Sequence, residues 1–267
     1  MNLPSNFIQT IQNVFGEKGR IWLDSLSSLI NTAKHRWALK NIESAPNLSY
    51  NFVAFAQRPS PIHSNQLEDV VLKIGVPSPE LTNEVTALHL FNGQGAVILL
   101  DAATEQGMLL LERIRPGKIL STLKDDEEAT HLAADVMLRL WKPVQSNSAL
   151  TQLSDWFKGF DKLRKRFEGG TGPLEKKLVE RAEVAVRDFF AEEHTPMLIH
   201  GDLHHFNILS SERGWLAIDP KGVIGPPAYE VGPLLVNPWD DLSNPEEIEK
   251  LTEKRIAILS ERLGFEK

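Results

Sequence analysis

"LIHGDLHHFNIL", residues 198 to 209, decides how the rest of the chain is read. It packs His200, Asp202, His204, His205 and Asn207 between two short apolar runs. Three readings compete: a histidine metal site, an ordinary strand–loop–strand, and a catalytic loop. His200 and His204 are four residues apart, a spacing that brings two imidazoles to one ion only on a helix. Gly201 and Asn207 oppose a helix, and "LIHGD" reads as a strand entering a loop. Standing alone, the stretch would be a polar loop with satisfied histidines. Asp202 and Asn207, however, are five residues apart, as phosphoryl transfer requires. A carboxylate there orients or deprotonates the attacking hydroxyl, and an amide on the same loop reaches Mg²⁺.

The neighbouring sequence supplies the other parts. "WLAIDP" delivers Asp219 at the end of an apolar strand, where a second carboxylate would meet Mg²⁺ at the phosphates. The runs "NIL" and "WLAI", joined by the turn "SSERG", predict a hairpin that holds Asn207 and Asp219 near each other. Upstream, Lys73 sits mid-strand in "VVLKIG" and could neutralise phosphate charge. Glu84, eleven residues on in the helical pattern "LTNEVTALHLF", could orient that ammonium. Alone, either would be an exposed strand lysine or a solvated helix glutamate. Five parts in order make the catalytic reading the stronger one.

Composition bounds the partners. The chain has 267 residues, 42% apolar and 24% charged, with a net charge of −7 and no cysteine. That excludes disulfides, thiolate zinc sites and a cysteine nucleophile. The acidic balance opposes a nucleic-acid binder and suits a cationic ligand. The N-terminus lacks a basic start followed by an apolar run, and no stretch approaches 18 apolar residues. The expectation is a cytoplasmic protein with no membrane partner, as a monomer or homodimer.

Two helical patterns open the chain, the first ending at Gly16. "YNFVAFA" and "DVVLKIG" then read as the first strand pair, followed by the Glu84 helix. "AVILLDA" and "GMLLLERI" read as a second strand pair. "RPGK", residues 115 to 118, is the best linker. From Asp125 to His194 the patterns are nearly all helical, and a charged amphipathic helix runs from about Pro245 to Leu263. The expected division is 1–114, a nucleotide-binding part with preceding helices, and 115–267, a helical part with the catalytic loop and acceptor site.

"HGDLHHFNIL" followed by "GWLAIDPKGVIGPPAYEVG" resembles the aminoglycoside phosphotransferase family, nearest its streptomycin 6-kinase and hydroxyurea-kinase branch. "SYNFVAFA", "VVLKIG" and "LLLERIRPG" extend the resemblance over roughly residues 48 to 264. It implies an α+β, protein-kinase-like fold of two lobes: a small mixed N-terminal lobe with an antiparallel sheet and a larger, mostly helical C-terminal lobe. It also implies transfer of the γ-phosphoryl of ATP (or GTP) to a hydroxyl of an aminoglycoside, foremost streptomycin as a 6-phosphotransferase, giving antibiotic resistance. In that family's terms Asp202 is the catalytic base, Asn207 and Asp219 hold Mg²⁺, and Lys73 with Glu84 positions the nucleotide phosphates. Glu112 and Ile114 in "LERIRP" would set backbone groups against the purine edge. A kinase of hydroxyurea or another small hydroxylated metabolite, and a catalytically silent nucleotide binder, are the alternatives.

Several features depart from that pattern. "AFAQRPSPIHSNQ", read as the turn of the first strand pair, has no glycine, so backbone grip on phosphate is not expected there. "NGQGAV" is read as a turn. Pro-Lys-Gly follows Asp219 where protein kinases have Phe-Gly, and the resemblance leads one to expect more helix after "ILSERLGFEK". Asp155, Asp161, Glu168, Asp240, Asp241 and Trp239 are candidates for a cationic acceptor, whereas Glu230 is expected to brace the catalytic loop.

Overall fold

The computed structural model describes residues 3–62, 65–144, 148–191, 195–238 and 244–265. The chain divides into two compact units, residues 1–124 with 206–221, and residues 125–205 with 222–267. In chain order the elements are α1 (Ser5–Arg36), β1 (Lys40–Ser44), β2 (Phe52–Pro59), β3 (Leu67–Ile74), α2 (Pro79–Phe91), β4 (Leu99–Ala103), β5 (Met108–Glu112) and β6 (Pro116–Ile119). There follow α3 (Asp126–Leu140), β7 (Lys142–Pro143), β8 (Thr151–Gln152), α4 (Leu153–Phe157), α5 (Gly159–Arg166), α6 (Lys176–Ala191) and β9 (Met197–Ile199). Last come β10 (Ile208–Ser211), β11 (Gly214–Ala217), β12 (Val223–Gly225), α7 (Val231–Leu235) and α8 (Pro245–Leu263).

The first unit is built on a five-stranded sheet in the order β1-β2-β3-β5-β4, its pairs antiparallel. Alternation sorts the faces: Phe52, Ala54 and Ala56 of β2 and Val70, Leu72 and Ile74 of β3 point into one core. Helix α1 covers that core with Phe7, Ile11, Trp22, Leu26 and Ala33. Gly16, the expected stop, breaks the helix with a φ of 56°, and α1 resumes beyond it. Val71 and Lys73 take the opposite face of β3. Helix α2 starts where Ser78 accepts the Leu81 N–H at 3.3 Å and Pro79 presets the first turn. Glu84 lies on its buried side with Leu81, Val85 and Leu88.

Two sequence expectations change here. "KNIES" forms β1, which pairs with β2 through Glu43–Phe55 and Ser44–Ala54. The expected pairing of "YNFVAFA" with "DVVLKIG" forms as β2–β3, with Phe52 opposite Ile74, but β1–β2 precedes it as the first strand pair, joined by the turn at residues 45–51, "APNLSYN". Both turns lack glycine. The "RPGK" stretch is also no boundary: Pro116–Ile119 forms β6 and pairs with β10, so the first unit runs to Lys124 and takes in the β10–β11 hairpin.

In the second unit a small sheet, β7-β9-β12-β8, carries the chain into the loop that starts at His200 and takes it up again at Val223. The α3 N-terminus is capped by Asp125, which accepts the Glu127 and Glu128 amides at 3.0 and 3.2 Å. Arg255 of α8, buried, joins three segments. It is forked onto Asp126 and donates to the carbonyls of Leu234 at 3.2 Å and Asn237 at 2.7 Å. Such a guanidinium, its donors matched, fixes α8 against α3 and α7. Helices α5 and α6 pack more thinly: α5 buries no residue and α6 only Val179. Among the described residues no helix is long and apolar enough to cross a membrane.

Candidate active site

In the first unit Lys73, Glu84 and Asp219 meet. The Lys73 ammonium, 3% exposed, donates to Glu84 Oε1 at 2.6 Å and to Asp219 Oδ1 at 3.0 Å. Asp219 reaches it because the chain turns left-handed after β11, with φ at 58°, a region that aspartate tolerates better than most residues. The "NGQGAV" turn sets that point. Ala217 donates to Gly95 O at 2.8 Å and accepts from Val97 N at 2.9 Å, so the end of β11 is stitched to the loop before β4. Burial alone would lower the Lys73 ammonium, but the Asp219 and Glu84 charges outweigh it and hold it above its ordinary value. Burial, with the Asp219 charge, pushes Glu84 up against the pull of Lys73. The two shifts differ over the ionisation of Glu84; the 2.6 Å contact to an ammonium favours the charged pair.

Asn207 begins the hairpin predicted from "NIL" and "WLAI": Ile208 pairs with Ala217 and Leu209 with Leu216. Ile218 N donates to Asn207 O at 2.9 Å, so Asn207 and Asp219 stand at the open end of one hairpin. Their amide and carboxylate oxygens are the hard donors Mg²⁺ takes, and with Glu84 the corner holds two carboxylates against one ammonium. Among the described residues no three His, Asp or Glu side chains converge on a metal position. One amide and one carboxylate oxygen suit an ion that keeps water and phosphate oxygens among its ligands, as Mg²⁺ does.

Glu112 closes β5. Its amide donates to Ile98 O at 3.0 Å, while its carboxylate accepts the Ile98 N–H at 2.8 Å and pairs with Arg213. The Glu112 N–H is thus committed to the sheet and not offered to a ligand. Glu112 and Ile114 border a cavity of about 340 Å³, also lined by Arg113, Ser211 and Leu216. Arg113 lies over the Phe55 ring, 3.3 Å from its centroid. Nothing in the sequence singled out Arg113 or Arg213, since a surface arginine has no pattern of its own.

In the second unit β9 ends at Ile199 and the "HGDLHHFN" loop begins. Glu230, fully buried, accepts the amides of His200 at 2.6 Å and Gly201 at 2.8 Å, which braces the loop as its position suggested. Burial pushes its carboxyl up to about 7. The two amides pull the other way, as does Trp141, whose buried indole N–H makes no hydrogen bond of normal geometry. The Asp202 amide donates to His200 Nδ1 at 3.2 Å. The Asp202 side chain is partly exposed, 3.8 Å from His204 Nε2. His205 is buried with neither ring nitrogen hydrogen-bonded, and desolvation lowers it to about 4, helped by Arg255. Of the acceptor candidates, Asp155 is exposed and bonded to Lys158, Asp161 and Glu168 are exposed, and Trp239, Asp240 and Asp241 lie outside the described residues.

Residues 59–267 match the family model described as "Aminoglycoside/hydroxyurea antibiotic resistance kinase". The chain belongs to this family. Streptomycin 6-kinase of Streptomyces glaucescens is 28% identical to it, over 100% of this chain and 85% of that one. Hydroxyurea phosphotransferase of Kitasatospora aureofaciens is 30% identical, over 89% and 68%. Solved structures share the fold at lower identity. An aminoglycoside phosphotransferase from Streptomyces rimosus, in complex with ADP and streptomycin, has a TM-score of 0.57 at 16% identity, covering 91% of this chain and 93% of that one. A choline/ethanolamine kinase family protein from Mesorhizobium loti has a TM-score of 0.61 at 16%, covering 90% and 77%. The fold is α+β and protein-kinase-like, with an antiparallel sheet in the first unit. As a member of this kinase family, the chain is a phosphotransferase with a hydroxyl group as acceptor.

Proposed function

We propose that this kinase transfers the γ-phosphoryl group of ATP to a hydroxyl of streptomycin, with Mg²⁺ as its metal. The Lys73–Glu84–Asp219 cluster carries the reading, because an ammonium buried between two carboxylates is a fixed cation for nucleotide phosphates. The streptomycin 6-kinase relatives supply the acceptor. Asp202 takes the proton of the acceptor hydroxyl as its oxygen bonds to the γ-phosphorus and the bond to the β-phosphate oxygen breaks. Lys73 offsets the phosphate charge. Asn207 and Asp219 would hold Mg²⁺, which when bound draws charge from the phosphate oxygens. The purine would enter the cavity beside Glu112 and Ile114, with GTP the alternative donor. Such a reaction draws on cytoplasmic nucleotide, and turnover should be of order 1–100 s⁻¹.

The test is ADP release from Mg·ATP with and without streptomycin, with Asp202→Asn as control. Streptomycin-stimulated turnover that falls roughly 10²–10⁴-fold in the variant supports the reading. Bound nucleotide with no stimulation by streptomycin refutes that acceptor. Hydroxyurea is then the next acceptor to assay, since a hydroxyurea phosphotransferase is among the relatives.

A further inference from the structure

The second unit contains a run of edge-to-face aromatic contacts that the reaction scheme above does not use. Phe189 meets Phe190 with ring centroids 5.2 Å apart, and Phe190 meets Phe157 at 5.6 Å. Phe157 meets Tyr229 at 6.2 Å, and Tyr229 meets Trp156 at 6.1 Å and 74°. The phenylalanine end is anchored on Leu153, Ile199 and Val223. The other end is not buried: Trp156 is 40% exposed.

This exposed end borders the catalytic loop. Tyr229 directly precedes Glu230, whose carboxylate grips the amides of His200 and Gly201, and Asp202 is the next residue. Burial raises the Tyr229 phenol, and the charges of Glu230 and then Asp202 raise it further, so its hydroxyl lies in the field of the base. With two-fifths of its surface in water, Trp156 keeps part of its ring available to a ligand. A flat cation is the natural occupant. An indole face attracts it, and the Asp202 carboxylate on the adjoining loop supplies the matching sign.

We infer that Trp156 and Tyr229 form the acceptor-selecting wall of this kinase, with Trp156 stacking a guanidinium-bearing acceptor and Tyr229, next to the Glu230 that braces the loop of Asp202, holding that indole edge-on. The inference rests on the proposed transfer to a cationic hydroxylated acceptor and adds the residues that select it.

The test is steady-state kinetics on Trp156→Ala, Trp156→Phe and wild type, varying streptomycin and ATP separately. Trp156→Ala should raise the streptomycin KM roughly tenfold and leave the ATP KM alone, as expected for loss of one cation–π contact. Trp156→Phe should recover most of that loss. An unchanged streptomycin KM in Trp156→Ala overturns the wall, as does an equal rise in both KM values with a lowered melting temperature. If wild type fails to phosphorylate streptomycin, the acceptor reading has failed by itself, and the wall is read from binding. Indole fluorescence of wild type and Trp156→Phe would then be titrated with streptomycin, streptidine and other guanidinium or ammonium sugars. Quenching that vanishes in the variant supports the wall. Identical curves, or no binding of any of these, overturn it.

Discussion

Lys73 in the first unit and Trp156 in the second are both large side chains assigned to ligand recognition, yet one is 3% exposed and the other 40%. The surroundings differ as much. Lys73 is fixed by two carboxylates from different elements, on a sheet whose inner face is closed by α1. Trp156 is held by one ring contact, and the nearby α5 and α6 bury a single residue between them. In the proposed reaction the phosphate never varies, so its cation can be built into a core where substitution is punished. The acceptor is what varies among relatives, and a thinly packed surface lets residues change without unfolding the chain.

Lys73→Met should break this contrast most severely. It leaves Glu84 buried without its cation, at a cost of about 3–5 kcal/mol in chemical denaturation, whereas Lys73→Met with Glu84→Gln should recover much of it. A single variant within about 1 kcal/mol of wild type would show that the pair is not a structural keystone. Glu230 gives an effect that depends on pH. Its carboxyl is raised from an ordinary 4.5 to about 7, so the stability it contributes is complete below about 4.5 and lost as pH rises through 7. Wild type measured against Glu230→Gln should therefore lose about 3 kcal/mol of relative stability between those values. A flat difference would mean that the two loop amides keep Glu230 ionised throughout. His205, lowered to about 4, has the opposite sign, which is why the comparison is with the variant and not with a bare profile. The smallest effect belongs to the thin side. Leu178→Ala on the exposed face of α6 should cost under about 0.5 kcal/mol. Leu72→Ala under α1 should cost about 2–5 kcal/mol. Equal losses would erase the distinction between the units.

The legible parts of the sequence were those with a period or a punctuation mark. The β10–β11 hairpin follows from two apolar runs around a polar turn, and α8 from its charged amphipathic pattern between Pro245 and Leu263. Lys73 stood out as a cation inside an apolar strand, and Glu230 as an acid in a Gly/Pro-rich run. Strand β1 was missed because "KNIES" buries none of its residues and shows no apolar alternation. The Glu112 amide bonds to Ile98 O and its carboxylate pairs with Arg213, partnerships that no local pattern encodes. Trp156 and Tyr229 are 73 residues apart, and only the closure of the small sheet brings them together. Their meeting is tertiary information, as is the partnership of Arg255 with Asp126.

The hairpin has a consequence for how the chain is made. Residues 206–221 complete a unit whose other strands were all synthesised before residue 125. Lys73 waits 146 residues for Asp219, and β6 waits for β10. On the ribosome, the first 124 residues emerge with an unpaired strand edge and without the second carboxylate of their buried ammonium. The whole second helical stretch then has to pass before the missing piece arrives. Contacts of such long range slow folding and prolong the life of an exposed edge. A nascent chain stalled anywhere before residue 221 would therefore be a client for chaperones, and the first unit would be the last part of the early sequence to reach its final form.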